Sequence, residues 1–389
     1  MVVHGPYPYS EPRVTREARA ALDAGFEVDV VAMRYPGQPK TSDAEGARVY
    51  RLPYLRTQRH NSAALLYEYA GFTALAIARV ASLHARRRYG VIQVHNPPDF
   101  LVAAALLPKA TGARVVLDVH DFAPDLFAMR HAGKPGASTV ESALRRAEAA
   151  ATRVSDAVVT VHEPYRHELL KRGVPDEKIV VVLNSLDERL IPTEPASPTD
   201  GVFRIVYHGT VTWHYGVELV VDALAALRDD LPNARLEVYG IGDALPSIRA
   251  RAREHEISDR VTTSESDFPH EEVLRIIKGA SVGAVAQLPI ERNKVALPTK
   301  LLEYVALGVP VVAPDVPAIV EAFDDDEMCF FSGGDADSLA QAILFVARDP
   351  DAARSRARAA RDRYEAEYRW PIYARRYVEL LERLVGTST

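Results

Sequence analysis

A single cysteine, Cys329, stands in 389 residues, which excludes an internal disulfide and any zinc cluster built on several thiolates. It lies in the apolar run Met328 to Phe331, which reads as a buried strand. No stretch of about 18 apolar residues occurs, and the opening MVVHGPYPYSEPRV has neither a basic flank nor a hydrophobic signal core. These absences predict a cytoplasmic chain that neither spans a membrane nor is exported by that route. Positive charge is not in excess: 47 Lys and Arg face 53 Asp and Glu, a net of -6, so nothing favours a nucleic-acid partner. A Gly-x-Ser-x-Gly elbow is missing and the 12 histidines are scattered, which leaves neither a serine nucleophile nor a clustered metal site to propose. Asp324 and Asp326 form an Asp-x-Asp string, but the acidic run Asp324 to Glu327 reads as a solvated loop, and no metal is expected.

What is present is an ordinary globular profile, 48% apolar and 26% charged. The length exceeds the roughly 250 to 300 residues that one core serves, so two domains are expected. Short apolar runs alternate with helix-length amphipathic segments from end to end, as parallel βαβ units do. Strands are predicted at Met1 to His4, Phe26 to Met33, Val49 to Leu52, Val91 to His95, Val115 to Val119, Ala157 to Val161 and Lys178 to Leu183, with a helix from Pro12 to Ala24 closed by Gly25. The Pro-rich stretch Ile191 to Gly201 reads as a linker. Beyond it the alternation resumes at Phe203 to His208, with strands near Arg235 to Tyr239, Val261 to Thr263, Val282 to Ala286, Val309 to Ala313 and Met328 to Phe331. The expected division is 1–195, 196–366, and a last helix in 367–389 crossing back to the first domain. Two doubly wound domains bind ligands outside the carboxyl ends of their strands, so an interdomain cleft is the expected site.

Ser62 to Arg88 is a long helix candidate, rich in Ala, Leu and Tyr and ending in the basic run Arg86 to Arg88. Its expected role is a core-packed helix whose cations complement the dipole, with peripheral membrane contact as the alternative.

The most informative segment is Ala296 to Pro314, ALPTKLLEYVALGVPVVAP. Pro298 suits a helix start and Gly308 a helix end, so free N–H groups and a positive dipole end are offered where a diphosphate could sit. Lys300 and Glu303 share a helical face, a lysine for phosphates beside a carboxylate for ribose hydroxyls. Spacing alone is equally compatible with a surface ion pair.

This segment resembles the donor-binding helix of glycosyltransferase family 4, the large retaining GT-B group. VIQVHNPPDFLVAAALLPK, VVLDVHDFAPDLF, VHEPYRHELLKRGVPDEKIVVVLNSLDE and VYHGTVTWHYGVELVVDAL resemble further blocks of such enzymes, in the family's order, from about Pro12 to Arg383. The resemblance implies an α/β GT-B fold, two Rossmann-like domains facing a cleft, and transfer from a nucleotide diphosphate sugar, uridine favoured. It further implies a retained configuration, neither covalent intermediate nor metal, and no tightly bound cofactor. Glu303 is similar to the family's second glutamate of a pair, a clamp on the donor ribose. Pro298, Thr299 and Lys300 match the phosphate-binding turn, and His208 and Gly209 the strand end that opens towards the diphosphate. His120, with Asp121, resembles the histidine that contacts the transferred sugar. His95, Asn96, Glu163 and Arg166 follow neighbouring strands and are expected to converge on the acceptor crevice; Arg13 could reach an anionic acceptor, although a solvated arginine is the preferred reading.

Two departures stand out. The family's first glutamate, eight residues before Glu303, is Val295 here, with Glu291 the nearest carboxylate to replace it. Where relatives place an arginine and a lysine after the glycine, Thr210 and Tyr215 stand, so Lys300, with Arg292 or Lys294, would supply the positive charge. The leading reading is an active transferase acting on a carbohydrate, glycolipid or small-metabolite acceptor. A catalytically silent nucleotide-sugar-binding homologue serving as scaffold or regulatory subunit is the alternative, and a GT-B epimerase or phosphorylase a third.

Overall fold

The computed structural model describes residues 1–8, 11–53, 62–131, 133–193, 201–264 and 268–386. Residues 194–200 of the expected linker, together with Tyr9, Ser10 and Ala132, lie outside them. The chain divides into two compact units, Met1–Asn184 with Pro371–Thr389, and Ser185–Trp370.

The first unit contains α1 (Pro12–Asp23), β1 (Asp29–Met33), β2 (Thr41–Ala44), β3 (Ala47–Leu52), α2 (Ser62–Arg87), β4 (Val91–His95), α3 (Leu106–Ala110), β5 (Arg114–Val119), α4 (Ala123–His131), α5 (Ala137–Val154), β6 (Ala157–Thr160), α6 (Glu163–Lys171) and β7 (Ile179–Val181). β4-β5-β6-β7 are parallel neighbours, and β1 and β3 pair parallel with β2 antiparallel at the edge. Val2 bridges both groups, against Val31 and Val94. The predicted first strand is thus a short connector, hydrogen-bonded from Val2 N to Gln93 O at 2.8 Å and from His95 N to Val2 O at 3.0 Å. β1 is buried throughout, as strands covered on both faces must be. The polar β2, TSDA, escaped the apolar-run criterion because it is an edge strand. It is closed by a tight turn whose central residues, Glu45 and Gly46, have φ of 55° and 81°.

The second unit contains β8 (Phe203–His208), α7 (Val217–Ala226), β9 (Ala234–Tyr239), α8 (Leu245–Glu254), β10 (Val261–Ser264), α9 (His270–Lys278), β11 (Val282–Ala284), α10 (Glu291–Lys294), α11 (Thr299–Ala306), β12 (Val311–Pro314), α12 (Pro317–Val320), β13 (Cys329–Phe331), α13 (Ala336–Arg348) and α14 (Pro350–Arg363). Its sheet is wholly parallel in the order β10-β9-β8-β11-β12-β13. The winding direction reverses at β8, so the crevice at the carboxyl ends of β8 and β11 is the topological switch point. The last helix, α15 (Trp370–Gly386), packs in the first unit, where Tyr377 donates to Gln93 of β4.

α2 differs from expectation. Residues Ala64–Arg87 are long and apolar enough to cross a membrane, and only 28% of the most apolar window is buried. The run escaped detection because its apolar residues are interrupted by Glu68, Thr73, Arg79 and His84, which face inward or stack on a neighbour instead of reaching solvent.

Packing of α11 on the sheet depends on Gly283 in β11. A Cβ there would lie 2.5 Å from the Tyr304 ring, whose hydroxyl donates to Val206 O of β8 at 2.8 Å. Gly283→Ala is therefore expected to lose about 1 to 3 kcal/mol in chemical denaturation, the usual cost of overpacking; an unchanged midpoint would contradict this packing.

Candidate functional site

At the switch point of the second unit lies a cavity of about 390 Å³, bordered by the ends of β8 and β9, α9 and the start of α11. Gly209 turns the chain out of β8 with φ of 95°, and its N–H donates to Tyr239 O at 2.9 Å. Gly240 follows β9 so closely that a Cβ would come within 1.8 Å of Gly209 O, which explains glycine at 240 by contact. Pro298 precedes the first helical residue of α11 in extended conformation, and Leu307 with Gly308, at φ of 70°, ends the helix. The first N–H groups of a helix have no intrahelical partner, so Pro298, Thr299 and Lys300 bring an electropositive edge to the cavity wall.

Lys300 is 7% exposed, and its Nζ has no hydrogen-bond partner among the described residues. The ammonium lies 3.8 Å from the centre of the Tyr207 ring and 4.6 Å from that of Tyr215. Ring faces attract a cation but accept no hydrogen bond of ordinary strength. Burial lowers the Lys300 pKa to about 7 against the opposing pull of Glu303. Glu303, one helical turn on, places Oε1 3.0 Å from His270 Nε2 and Oε2 3.2 Å from His208 Nε2. Burial holds His208 down to about 4 although Glu303 pulls the other way, so it stays neutral near pH 7. The cavity therefore offers a carboxylate set by a histidine, a buried amine and a helix start within one wall, with Phe268, Tyr239 and Ile241 as an apolar side.

In the first unit the carboxyl ends of β4 and β5 carry a buried ionic cluster centred on Asp118. Arg13 donates from Nε and Nη2 to both of its oxygens, at 2.9 and 2.8 Å, and from Nη1 to Val182 O at 2.7 Å. His95 Nδ1 and His120 Nε2 each lie 3.0 Å from Asp118 Oδ2. Burial favours the neutral carboxyl, but Arg13 and then His120 outweigh it and hold Asp118 well below the usual range. Burial depresses His120 while Asp118 raises it, and the balance is upward, whereas buried His95 falls to about 4. Glu17, buried beside Arg13 and Gln93, is pushed up to about 8 by desolvation.

Pro298, Thr299, Lys300, Glu303, His208 and Gly209 all line the cavity of the second unit. Glu291 and Arg292 do not. Glu291 is 90% exposed on α10 and pairs with Lys294 at 2.5 Å, and Arg292 Nη1 lies 3.3 Å from His214 Nε2. The positive side chain at this cavity is therefore Lys300 alone among its lining residues, and Tyr215, where relatives have a cation, supports that lysine with its ring.

His120 keeps a partly exposed side chain at the end of β5, next to Asp121. His95 is fully buried against Asp118 and cannot reach an acceptor as it stands. Asn96 is a brace: its Oδ1 accepts from His120 N at 2.7 Å, and its Nδ2 donates to Asp99 Oδ1 at 2.9 Å and Asp121 O at 2.8 Å. Arg13 is neither solvated nor free for an anionic acceptor, because Asp118 occupies it. Glu163 and Arg166 do not join the group; they pair with each other at 3.4 Å on α6, beside a separate depression of about 300 Å³ with Arg376 and Arg383. Beyond β6 it is Tyr165 that reaches Asp121, at 3.4 Å. Sequence reasoning missed Asp118 and His270. An aspartate inside the apolar strand VVLDV was the available signal for Asp118, whereas His270 sits in no motif.

Residues 10–185 match the glycosyl transferase 4-like domain and residues 194–363 the glycosyl transferases group 1 family. The putative colanic acid biosynthesis glycosyltransferase WcaL of Escherichia coli K12 is 23% identical over 96% of this chain and 97% of its own length. Glycogen synthase of Mycobacterium tuberculosis is 29% identical over 57% of this chain, and the match spans about half, 53%, of that relative's length. Sucrose-phosphate synthase from Thermosynechococcus elongatus superposes with a TM-score of 0.76 at 20% identity, covering 96% of this chain and 93% of its own. Anabaena HepE, solved in complex with UDP, reaches 0.72 at 14% identity over 98% of both chains.

Two outcomes are expected. Arg13→Met strands a buried Asp118 and should cost about 3 to 5 kcal/mol in chemical denaturation; a loss below about 1 kcal/mol would mean the cluster is solvated. Lys300 is charged below its pKa of about 7 and neutral above it, while His208 stays neutral across that range. Pyrophosphate binding followed by calorimetry should therefore strengthen as pH falls from about 8 to about 6, and Lys300→Met should weaken it and flatten the trend. Since Glu303 and His270 also face the cavity, His270→Gln serves as the control; abolition of the trend by that change would assign it to the histidine.

Proposed function

Because the chain belongs to the GT-B glycosyltransferases, we propose that it moves a sugar from a nucleotide diphosphate donor onto a carbohydrate, glycolipid or small-metabolite acceptor, with the anomeric configuration retained. Uridine is the favoured base, in line with the neighbour solved with UDP. The observation that carries the reading is Lys300: a buried amine without a hydrogen-bond acceptor among the described residues, beside a helix start and one turn from Glu303, is arranged for an anion that arrives with the substrate.

In this reading the donor ribose gives two hydroxyl hydrogen bonds to Glu303, whose orientation His270 maintains. The diphosphate takes the first N–H groups of α11 and the ammonium of Lys300. As the bond between the sugar C1 and the phosphate oxygen breaks, charge grows on the departing phosphate and those donors stabilise it. The acceptor oxygen bonds to C1 on the same face, and its proton passes to the departing phosphate oxygen. His120, raised by Asp118 and partly exposed, is the group assigned to the transferred sugar. No step needs a metal: the positive charge comes from Lys300 and the helix start, and the Asp118 oxygens that could ligate a cation are held by Arg13. A cytoplasmic address belongs to the same reading.

The silent-homologue reading draws on Val295, Thr210 and Tyr215, where relatives have a glutamate and two cations. Donor hydrolysis separates the two: an active enzyme releases sugar from its UDP-sugar, whereas a silent one binds and never turns over.

Glu303→Ala is the direct test. A thermal-shift screen against UDP-sugars should find a stabilising donor for the wild type. The variant should lose about 1.5 to 3 kcal/mol of donor binding for each charged hydrogen bond removed. Unchanged donor affinity would remove Glu303 from the site.

A further inference from the structure

Behind the exposed edge of His120 the first unit contains a continuous chain of polar side chains that ends on the last helix. In α15, Tyr377 is buried and its hydroxyl donates to Gln93 Oε1 of β4. With its oxygen so occupied, the Gln93 amide turns Nε2 towards α1 and donates to Glu17 Oε2 at 2.7 Å. The other Glu17 oxygen lies 3.1 Å from Arg13 Nη2, one helical turn back. Arg13 continues to both oxygens of Asp118, and Asp118 Oδ2 meets His120 Nε2. Tyr377, Gln93, Glu17, Arg13 and Asp118 are each at most 4% exposed, whereas 21% of the His120 side chain reaches solvent.

Counting charge along this chain leaves one proton to place. A guanidinium does not lose its proton, and here it holds Asp118 ionised, so the two cancel. His95 adds nothing, because burial keeps it neutral down to about 4. The cluster is then neutral in two ways: with Glu17 protonated and His120 uncharged, or with Glu17 ionised and His120 protonated. In the second state the signs alternate from carboxylate to guanidinium to carboxylate to imidazolium. Any other occupancy leaves a net charge where little water reaches it, which burial penalises. The separate tendencies agree with this count. Desolvation pushes Glu17 up to about 8, and Arg13, with His120 adding to it, pulls the other way. Desolvation lowers His120, but Asp118 raises it further than that, and Glu17 adds to the rise. The charged form of each therefore favours the charged form of the other. Two more titratable groups face the pair. Tyr377 is held neutral by burial. Glu11, just before α1, also feels His120, but it takes no part in the hydrogen bonds that make the chain.

We propose that Glu17 and His120 hold a single proton between them, and that Glu17 is a positioning residue which, through Arg13 and Asp118, determines whether the exposed imidazole is charged. Gln93 and Tyr377 steady the ionised form of Glu17, so the last helix contributes to the state of the histidine. Charging the ring turns its second nitrogen, the one not bound to Asp118, from an acceptor into a donor. That consequence for a sugar hydroxyl rests on the role given to His120 above; the shared proton does not.

Titration of the histidine ring signals by NMR tests it on the full chain without any substrate, so the outcome is separate from whether the protein transfers sugar. His120→Gln identifies the signal. In the wild type that signal should move in two steps spread over more than about two pH units, as a coupled pair does. Glu17→Gln keeps the side-chain shape and fixes it neutral. It should leave one step, with the midpoint lowered by about one unit, a tenfold loss of proton affinity. Tyr377→Phe releases the Gln93 amide and should lower the midpoint in the same direction by less; where Glu17→Gln does not fold, this variant decides alone. A midpoint that stays in place in these variants overturns the proposal, because a packing role would lower the melting temperature without moving the titration. Loss of the second step in Glu11→Gln also overturns it, since Glu11 would then be the partner.

Discussion

An amine removed from water with no acceptor in return among the described residues is the constraint around which the second unit is organised. Lys300 is held on two aromatic faces, beneath a glycine turn and beside a helix start, and burial leaves its pKa near 7. Such a group destabilises the empty site and rewards an incoming anion, because charging it costs least when a phosphate supplies the counter-charge. Much of the surrounding geometry follows from keeping that arrangement. Gly240 lets the loop after β9 touch the loop after β8, Gly283 makes room for Tyr304, and Tyr304 ties α11 to β8. Glu303 is then fixed one turn from the amine, with His270 on one oxygen and His208 beside the other.

The first unit solves a related problem by the opposite means. The charge of Asp118 is compensated: Arg13 satisfies it with two hydrogen bonds, and Asp118 in turn orients His95 and His120 through a single oxygen. The residue left partly open is His120, with Asn96 bracing the backbone that carries it. One unit thus presents a histidine paired with a carboxylate and the other a lysine without an acceptor among the described residues.

Most strands were legible because a parallel sheet buried on both faces writes itself as apolar runs, and β8 was read to the residue. The polar edge strand β2 was not, since its side chains alternate between solvent and partial cover without an apolar signal. That the end of β8 and the start of α11 share one cavity was readable from motif and position together. Partnerships between distant segments were not. Nothing local in Arg13 announces that Asp118, more than a hundred residues on, will occupy it, so both a solvated role and an acceptor role were reasonable expectations. Glu291 and Arg292 failed for a related reason: closeness in sequence to α11 does not aim a side chain at its amino end, and α10 turns them to solvent and to His214. α2 misled because counting apolar residues in a row overlooks a helix whose run is interrupted by single polar residues, Glu68, Thr73 and His84, that are buried.

The most direct measurement is a crystal structure of the protein soaked with UDP. The account requires the diphosphate within about 3 Å of Lys300 Nζ and of the first N–H groups of α11, with the ribose hydroxyls on Glu303. Nucleotide density elsewhere, with the Lys300 amine still lying unaccompanied on Tyr207 and Tyr215, would contradict it.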